Sequence, residues 1–331
     1  MTHVHETPAT LLNVDGLTVE YWVRQRKIRA VDNVSFSLDK SETLGIVGES
    51  GSGKSTLALS MIRLVPYPGR IIRGKITLEG EELLKLKNEQ MRNLRGRRIS
   101  YVFQDPMTSL NPVRKIGAHF VELIRTHEPK VTEKEALERG RKILENVGIQ
   151  PERINDYPHQ LSGGMRQRVM IALAIALNPR VVIADEPTTA LDVIVQAKIL
   201  DLLNALRDEY GMALILITHD LSIVLERSDR ILVMYAGRVV EYAHSTDIYY
   251  APQHPYTKGL LKSIPNVELS EQTLEAIGGS PPDMLRLPKG CAFWPRCYCA
   301  TERCREEEPP LTQTGTEHFT RCFPEKKEKN K

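Results

Sequence analysis

A glycine-rich run near residue 50 has the residue types and spacing of a phosphate-binding loop. The segment from Gly48 to Ser55 reads Gly-Glu-Ser-Gly-Ser-Gly-Lys-Ser and fits the pattern G-x-x-x-x-G-K-[ST]. Its glycines let backbone N–H groups point inward at phosphate oxygens, Lys54 is expected to reach the terminal phosphates, and Ser55 is expected to hold Mg²⁺. The predicted nucleotide contacts are Gly48, Ser50, Gly51, Gly53, Lys54, Ser55 and Thr56.

Two adjacent carboxylates follow a second apolar run, Val181 to Ala184. A continuous apolar run is typical of a fully buried parallel strand, and α/β sheets bind ligands at the carboxyl ends of such strands. Asp185 is expected to orient Mg²⁺ through its water shell, and Glu186 to polarise the water that attacks the γ-phosphate. A solvated acidic turn is the alternative for this pair taken alone.

Two more polar side chains end apolar runs. The run that begins at Ala213 ends in His219, and the run that begins at Ile99 ends in Gln104. At these positions His219 is expected to contact the γ-phosphate, and Gln104 both Mg²⁺ and the attacking water. Glu186, His219 and Gln104 are therefore the predicted catalytic residues, and Ser55, Gln104 and Asp185 the predicted Mg²⁺ site.

The elements that must position these groups alternate between strand and helix. Thr43 to Val47 reads as a buried strand, and Lys54 to Val65 reads as a helix with apolar residues near one face. This strand–loop–helix order is the context that the glycine-rich pattern requires. The sequence therefore predicts an α/β fold with a parallel sheet.

Composition limits the kinds of protein this can be. The chain has 331 residues, a formal net charge of +3 and 41% hydrophobic residues, an ordinary balance for a folded chain of one or two domains. The charge is too small to indicate nucleic-acid binding. The longest apolar run, Val169 to Leu177, is too short for a membrane span. With no signal peptide expected either, the chain is predicted to be cytosolic.

A second segment has the character of an anion site. Ser162, Gly163 and Gly164 precede a run that reads as a helix from Met165 to Leu177. A hydroxyl, two glycine amides and a helix N-terminus can together bind an anion. Taken alone, the same residues are equally compatible with an ordinary helix cap at Ser162.

Together these motifs closely resemble the ATP-binding cassette (ABC) ATPases over about residues 11–242. The family motifs occur in order: Walker A Gly48–Ser55, Q-loop Gln104, signature Leu161–Met165, Walker B Val181–Asp185, Glu186, D-loop Ala190–Asp192 and switch His219. In this family two cassettes pack head to tail. The resemblance therefore implies that Ser162, Gly163, Gly164 and Asp192 act on the nucleotide of a partner cassette.

The resemblance also implies an architecture. A P-loop NTPase cassette has a RecA-like core, an antiparallel β subdomain and a helical subdomain, expected here at about residues 105–178. Residues 1–250 are expected to form the nucleotide-binding domain and residues 251–331 a small C-terminal extension. By comparison with the family pattern, Tyr21 rather than its neighbour Trp22 is expected to stack on adenine.

Two segments narrow the resemblance to the oligopeptide/dipeptide importer ATPases: VFQDPMTSLNP, and HPYTKGLLKSIP at residues 254–265. The implied partners are a second cassette, identical or paralogous, two transmembrane permease subunits and, indirectly, an extracytoplasmic substrate-binding protein. The implied location is the cytoplasmic face of the membrane. Oligosaccharides or nickel are alternative cargoes, and a non-transport cassette of translation or DNA repair is the weaker alternative function.

The C-terminal extension carries all five cysteines. Five residues separate Cys291 from Cys297, six separate Cys297 from Cys304, and seventeen separate Cys304 from Cys322. This resembles the iron–sulfur region of dipeptide importer ATPases, with these four thiolates as ligands. The wide gaps favour a [4Fe–4S] cluster over Zn²⁺, the alternative. Cys299 departs from the four-ligand pattern, and free cysteines remain an alternative. A structural role is expected for the metal, although the sequence does not exclude a redox sensor.

Overall fold

The computed structural model describes residues 10–23, 26–105, 109–189, 191–264 and 277–323. The strands within these ranges are β1 (Thr10–Val23), β2 (Arg26–Asp39), β3 (Thr43–Val47), β4 (Gly69–Leu78), β5 (Glu81–Glu82), β6 (Ile99–Val102), β7 (Val181–Asp185), β8 (Ala213–Thr218), β9 (Arg230–Tyr235), β10 (Arg238–His244), β11 (Thr312–Gly315) and β12 (His318–Thr320).

The helices of the same ranges are mostly short. They are α1 (Lys54–Met61), α2 (Asn88–Leu94), α3 (Ile116–His127), α4 (Glu133–Asn146), α5 (Gly163–Ile175), α6 (Val193–Tyr210), α7 (Leu221–Arg227), α8 (Ser245–Tyr250), α9 (Pro255–Lys262) and α10 (Glu302–Glu306), with 3₁₀ turns at Leu83–Lys85, Pro151–Asn155, Pro158–Gln160 and Trp294–Arg296.

The larger sheet places the predicted functional residues together at the carboxyl ends of its parallel strands. Its order is β11-β12-β10-β9-β3-β8-β7-β6. β6, β7, β8, β3 and β9 are parallel. Asp185 pairs with Ile217, and Val47 with Thr218, so the loops after β3, β7 and β8 leave the sheet side by side. The predicted α/β class with a parallel core is confirmed.

Apolar strands and helices enclose this sheet on both faces. β3, β7 and β8 are buried at every residue. Alternate residues point to opposite faces, so Ile183 and Ile215 join one hydrophobic cluster while Val182 and Leu214 join the other. The first cluster packs beneath the smaller sheet. The second includes Phe120 of α3 and Leu144 of α4.

The smaller sheet is antiparallel and has the order β2-β1-β4-β5. Inward-facing residues of β1, such as Leu12, Val14 and Val19, are almost fully buried, and they share a cluster with Leu57 of α1. This sheet therefore covers the helix that follows the phosphate loop.

Two helices have different bounds from those the sequence predicts. α1 ends at Met61 rather than Val65, because Arg63 adopts a left-handed conformation with φ 52°. α5 spans Gly163–Ile175 rather than 165–177, because the Ser162 hydroxyl accepts the amide of Met165 and starts the helix two residues early.

The C-terminal part joins the larger sheet instead of standing apart. β12 pairs antiparallel with β10, and β11 pairs with β12. Glu241 of β10 is fully buried, and its carboxylate meets His318 Nε2 at 2.8 Å and accepts the amides of Gln253 and His254 at 2.6 and 3.0 Å. The predicted boundary at residues 250/251 is thus crossed by backbone pairing and by buried hydrogen bonds.

None of the helices in the described ranges combines the length and the apolar character needed to cross a membrane.

Candidate functional site

The phosphate loop lies between β3 and α1 and requires glycine. Gly51 and Gly53 have φ of 79° and 102°, a region that other residues rarely adopt. A Cβ on Gly53 would lie 2.2 Å from the carbonyl oxygen of Ala30, whereas a Cβ on Gly51 would meet nothing within 4 Å. The loop is therefore curled against β2 at Gly53 and open to its surroundings at Gly51.

Lys54 lies at the base of this loop, and its side chain is buried. Its Nζ donates to the carbonyl oxygens of Gly48, at 2.7 Å, and of Glu49, at 3.1 Å. Burial lowers the pKa of Lys54, although the charges of Glu186, Asp185 and Glu49 act in the opposite direction. These hydrogen bonds hold the ammonium group in a position where it can bind an anion in the cavity.

Asp185 ends β7 and contacts the start of α1. Its Oδ1 accepts the hydroxyl of Ser55 at 3.1 Å, and its Oδ2 accepts the hydroxyl of Tyr101 at 2.7 Å. Burial raises the pKa of Asp185, and the two hydrogen bonds and Lys54 counteract this. Burial, together with Asp185, also raises the pKa of Tyr101. Sequence reasoning missed Tyr101; its place three residues before Gln104 in a strand was the available signal.

Three polar side chains lie close to one carboxylate oxygen of Glu186. Its Oε2 accepts Gln104 Nε2 at 2.9 Å and Thr189 Oγ1 at 3.0 Å, and His219 Nδ1 lies 3.6 Å away. The backbone of Glu186 has φ 45°, a costly conformation for a residue with a Cβ. The sheet thus brings together the three residues predicted to be catalytic, with Glu186 at their centre. Thr189 was not foreseen.

These groups surround a cavity of about 590 Å³, a size suited to a small ligand. Its lining residues are Ala30, Glu49, Ser50, Gly51, Gly53, Lys54, Ser55, Thr56, Gln104, Glu186 and His219. The cavity therefore combines loop amides, a buried cation, hydroxyl groups and a carboxylate. Such a set can bind a polyphosphate and orient a water molecule toward it.

Tyr21 lies near this cavity but does not line it. Its hydroxyl is 3.5 Å from Thr56 Oγ1, and a Cβ on Gly69 would lie 2.7 Å from its ring. Trp22 is 46% exposed, with Lys27 Nζ 4.3 Å above its ring. Tyr21, and not Trp22, is thus held beside a predicted nucleotide contact.

The signature segment lies outside the cavity. Ser162 caps α5, and a Cβ on Gly164 would lie 2.8 Å from Val195 of α6. Asp192 caps α6 by accepting the amide of Val195 at 2.9 Å. Among the described residues, the cavity lining includes neither Asp192 nor any signature residue, and Ala190 falls outside the described ranges. The structure does not bring this anion site to the chain's own phosphate loop.

A second concavity, of about 750 Å³, lies between β6 and the helical layer. Phe103, next to Gln104, lines one side and is 40% exposed. Leu123 of α3 and Leu173 of α5 also line it, together with the charged residues Arg92, Arg95 and Glu122. This groove is largely apolar, and it adjoins the loop that carries Gln104.

The phosphate loop has further partners that the sequence analysis did not identify. Arg296 donates to both carboxylate oxygens of Glu49, at 2.8 and 2.9 Å. The hydroxyl of Tyr256, in α9, accepts the amide of Glu49 at 3.0 Å. Since these residues lie more than 200 positions further along the chain, spacing gave no signal for the contacts.

The cysteines form no assembled metal site. Within the described ranges, no group of three or more His, Cys, Asp or Glu side chains is arranged to hold a metal ion. Cys297 Sγ lies 3.5 Å from Cys299 Sγ, and the Cys291 amide donates to the Cys304 carbonyl at 2.8 Å. The prediction of a [4Fe–4S] cluster or Zn²⁺ at Cys291, Cys297, Cys304 and Cys322 therefore gains no support from the structure.

Comparison with known proteins agrees with this geometry. The ABC transporter family matches residues 31–189, and the family described as the oligopeptide/dipeptide transporter C-terminal region matches residues 240–304. The oligopeptide transport ATP-binding protein OppD of Bacillus subtilis (strain 168) is 47% identical over 317 residues, which is 95% of this chain and 88% of that protein. The dipeptide transport ATP-binding protein DppD of Escherichia coli (strain K12) is 46% identical over 316 residues, 94% of this chain and 96% of that protein.

Solved structures show the same fold. The dimeric structure of the bacterial ABC transporter cassette MJ0796 matches with a TM-score of 0.64 and 29% identity, over 71% of this chain and 99% of that one. The cbiO1 protein of Clostridium perfringens, part of the ABC transporter complex cbiONQ, matches with a TM-score of 0.62 and 26% identity, over 73% of this chain and 91% of that one.

Proposed function

The chain belongs to the ABC transporter ATPases of the oligopeptide and dipeptide transport family, and we propose that it is the ATP-hydrolysing subunit that energises an importer of short peptides. The observation that carries this proposal is the convergence of Lys54, Glu186, Gln104 and His219 on one cavity. The peptide cargo is supported by the names of the relatives, because the ATPase residues themselves have no part in choosing cargo.

The cavity residues have distinct proposed roles toward ATP. The loop amides and Lys54 bind the phosphates, because they offer donors and a positive charge in a buried setting. Ser55, Gln104 and Asp185 would hold Mg²⁺, which neutralises phosphate charge when bound. Tyr21 stacks on adenine from its position beside Thr56.

Glu186 is the proposed general base for the attacking water. Its Oε2 is held by Gln104 and Thr189, with His219 close by, so the carboxylate is oriented before the reaction. A positioned carboxylate accelerates hydrolysis by taking the proton as the water attacks the γ-phosphate. Gln104 and His219 also contact the γ-phosphate region and sense whether it is present.

A second cassette completes each site in this proposal. Ser162, Gly163, Gly164 and Asp192 lie outside the chain's own cavity and face the nucleotide of a partner, which is a second copy or a paralogue. Support comes from the capped N-terminus of α5, an anion site that the chain's own cavity does not use. The relative MJ0796 was solved as a dimer.

Two transmembrane permease subunits are the proposed mechanical partners, at the cytoplasmic face of the membrane. The largely apolar groove lined by Phe103, Leu123 and Leu173 fits a cytoplasmic helix of a permease, and Arg92, Arg95 and Glu122 also line it. Since Gln104 adjoins this groove, a shift at the γ-phosphate reaches the docked helix directly. An extracytoplasmic substrate-binding protein would deliver the peptide to these permeases.

The domain division belongs to the same proposal. Residues 1–250 form the nucleotide-binding domain, with a helical subdomain at about residues 105–178, and residues 251–331 form the extension. The pairing of β12 with β10 supports an extension that folds onto the cassette rather than beside it.

A metal in the extension is a separate proposal. The spacing of Cys291, Cys297, Cys304 and Cys322 supports a [4Fe–4S] cluster, with Zn²⁺ as the alternative. Burial, with a contribution from Cys304, raises the pKa of Cys291, and burial, with contributions from Cys299 and Cys322, raises the pKa of Cys297 to about 12. Cys291 and Cys297 are thus each affected by other cysteines of the extension, and binding a metal would require the thiols to rearrange around it.

The test is reconstitution with the co-purified permease subunits in proteoliposomes. ATP-dependent uptake of labelled di- and oligopeptides is expected, and uptake of oligosaccharides or nickel instead would reassign the cargo. Phe103→Asp should abolish uptake while the isolated subunit keeps its ATPase activity, because the substitution places a charge in the apolar groove. ATPase activity with no permease association in any preparation would favour a non-transport cassette.

A further inference from the structure

The second residue of the phosphate loop is held from the C-terminal extension. Arg296 makes a two-pronged ion pair with the Glu49 carboxylate, and the Tyr256 hydroxyl accepts the Glu49 amide. Two-pronged arginine–carboxylate pairs are among the strongest and most directional of protein contacts. Glu49 therefore has both its side chain and its backbone fixed by residues outside the loop.

Arg296 is itself rigidly placed. Its Nε donates to the carbonyl oxygen of Gly278 at 2.9 Å, and its Nη1 donates to the hydroxyl of Tyr235 at 3.3 Å. Its side chain is only 6% exposed and lies 5.9 Å from the ring centroid of Phe293. Since this guanidinium cannot swing into solvent, the ion pair transmits the position of the extension to the loop.

Glu49 in turn shapes the part of the loop that meets phosphate. Its carbonyl oxygen accepts Lys54 Nζ at 3.1 Å and the amide of Ser52 at 3.1 Å. Glu49 is one of the residues that line the cavity, so an unpaired negative charge on its side chain would repel a triphosphate bound there. Arg296 therefore neutralises this charge. By fixing the side chain of Glu49 it also limits the movement of the Glu49 carbonyl oxygen, which accepts Lys54 Nζ.

We propose that Arg296 is a positioning residue for ATP, acting through Glu49, so that the extension sets the nucleotide affinity of the cassette. This inference rests on the proposed ATPase function. It places the effect on ATP binding and not on the chemical step, because Arg296 touches neither Glu186 nor its partners Gln104, Thr189 and His219.

The experiment measures the Kd for ATP and the kcat of hydrolysis with the full-length chain. Arg296→Met should weaken ATP binding by about ten-fold, with kcat at saturating ATP within about two-fold of wild type. The matched control is Arg286→Met, which removes the same charge from an exposed position of the same segment and should bind ATP like wild type.

A double variant tests whether the effect passes through Glu49. In Glu49→Gln/Arg296→Met the unpaired carboxylate is gone, so most of the lost affinity should return. Tyr256→Phe removes only the acceptor for the Glu49 amide and should weaken ATP binding by about three-fold. Tyr256→Phe also decides the matter if Arg296→Met does not fold, since its ring packing against Tyr235 is kept.

ATP affinity of Arg296→Met equal to that of Arg286→Met would overturn the inference and leave the ATPase function intact. Lower thermal stability of Arg296→Met with an unchanged Kd for ATP would also overturn the inference, because the Arg296–Glu49 pair would then contribute to folding and not to ATP binding. If Arg296→Met fails to fold, wild-type affinity in Tyr256→Phe overturns it. A wild-type chain that neither binds nor hydrolyses ATP would overturn the inference and the proposed function together.

Discussion

The nucleotide cavity and the cysteine segment differ in how closely their side chains meet, although motif spacing marks both. Around Lys54, residues from four separate strand ends meet within hydrogen-bond distance or close to it. In the segment from Cys291 to Cys322, by contrast, the sulfur atoms of Cys297 and Cys299 lie 3.5 Å apart, but within the described residues no three metal-binding side chains are arranged to hold a metal ion. The same kind of evidence thus had different predictive value in the two regions.

The difference follows from what supports each motif. The cavity residues sit at the carboxyl ends of parallel strands, whose neighbours and register are set by backbone hydrogen bonds. Cys297 directly follows the 3₁₀ turn at Trp294–Arg296, Cys299 lies in a turn, and Cys304 lies in the short helix α10. Spacing along irregular chain does not determine distance in space, so a sequence motif there does not show that its side chains meet.

The largest effect is expected from a substitution at Glu186, the proposed general base of the cavity. Glu186→Gln should lower kcat by about 1000-fold, because the amide cannot take a proton from water. ATP should still bind, so the variant is expected to accumulate as an ATP-bound dimer in size-exclusion chromatography. Rapid turnover by this variant would assign the base to another residue.

The contact between the C-terminal extension and β10 at His254 should make the stability of the fold depend on pH. Burial lowers the pKa of His254 to about 4, against an ordinary 6.5, with Glu241 opposing this shift and Arg321 and Lys258 adding to it. Between these values the unfolded chain binds a proton that the folded chain does not, so stability falls as the pH drops from about 6.5 to 4. The loss is about 3 kcal/mol, measurable by urea unfolding at several pH values.

His254→Asn is the control for the acid effect. Asparagine keeps an acceptor for the amide of Tyr256, which His254 Nδ1 accepts at 3.0 Å, but it does not titrate. The variant should lose most of the slope between pH 6.5 and 4. An unchanged slope would assign the acid sensitivity to other groups. Glu241 is not a sufficient explanation, because its pKa is lowered by hydrogen bonds that outweigh burial, and its contribution to stability is lost mainly below about pH 4.5.

The phosphate loop offers a matched pair of glycines. Gly53→Ala places a methyl group 2.2 Å from the Ala30 carbonyl, whereas Gly51→Ala meets no atom within 4 Å. Both share the strain of a positive φ. ATP binding should therefore be about ten-fold weaker in Gly53→Ala than in Gly51→Ala, as measured by titration calorimetry. Equal affinities would mean that the loop can move away from β2 at no cost.

The smallest effect is expected at Cys299. If four thiolates bind a [4Fe–4S] cluster, anaerobically purified Cys299→Ser should keep the iron content of the wild type, whereas Cys304→Ser should lose most of it. ATPase rates should change by less than about two-fold in Cys299→Ser. A colourless wild-type protein with stoichiometric zinc would decide for the alternative metal, and a metal-free one would decide for free cysteines.

The sequence predicted the cassette fold and most of the residues that line the cavity, because short apolar runs with polar residues at their ends have few possible arrangements. It did not predict Tyr101, Thr189 or the Arg296–Glu49 pair. The contacts of Tyr101 and of the Arg296–Glu49 pair depend on how distant segments pack. Thr189 lies only three residues from Glu186, and this local contact was missed. The ends of α1 and α5 were misplaced for a smaller reason: backbone conformation at Arg63 and the cap at Ser162 override apolar periodicity.

The strand order β11-β12-β10 has a consequence for any shortened form of the chain. Removing the residues after 300 would strip β12 from β10 and leave Glu241 and Tyr242 with unsatisfied backbone groups at an open border of the sheet. Open borders of this kind recruit other chains. A chain shortened to its nucleotide-binding domain should therefore precipitate or self-associate through β10. On this view the extension protects the edge of the sheet from aggregation.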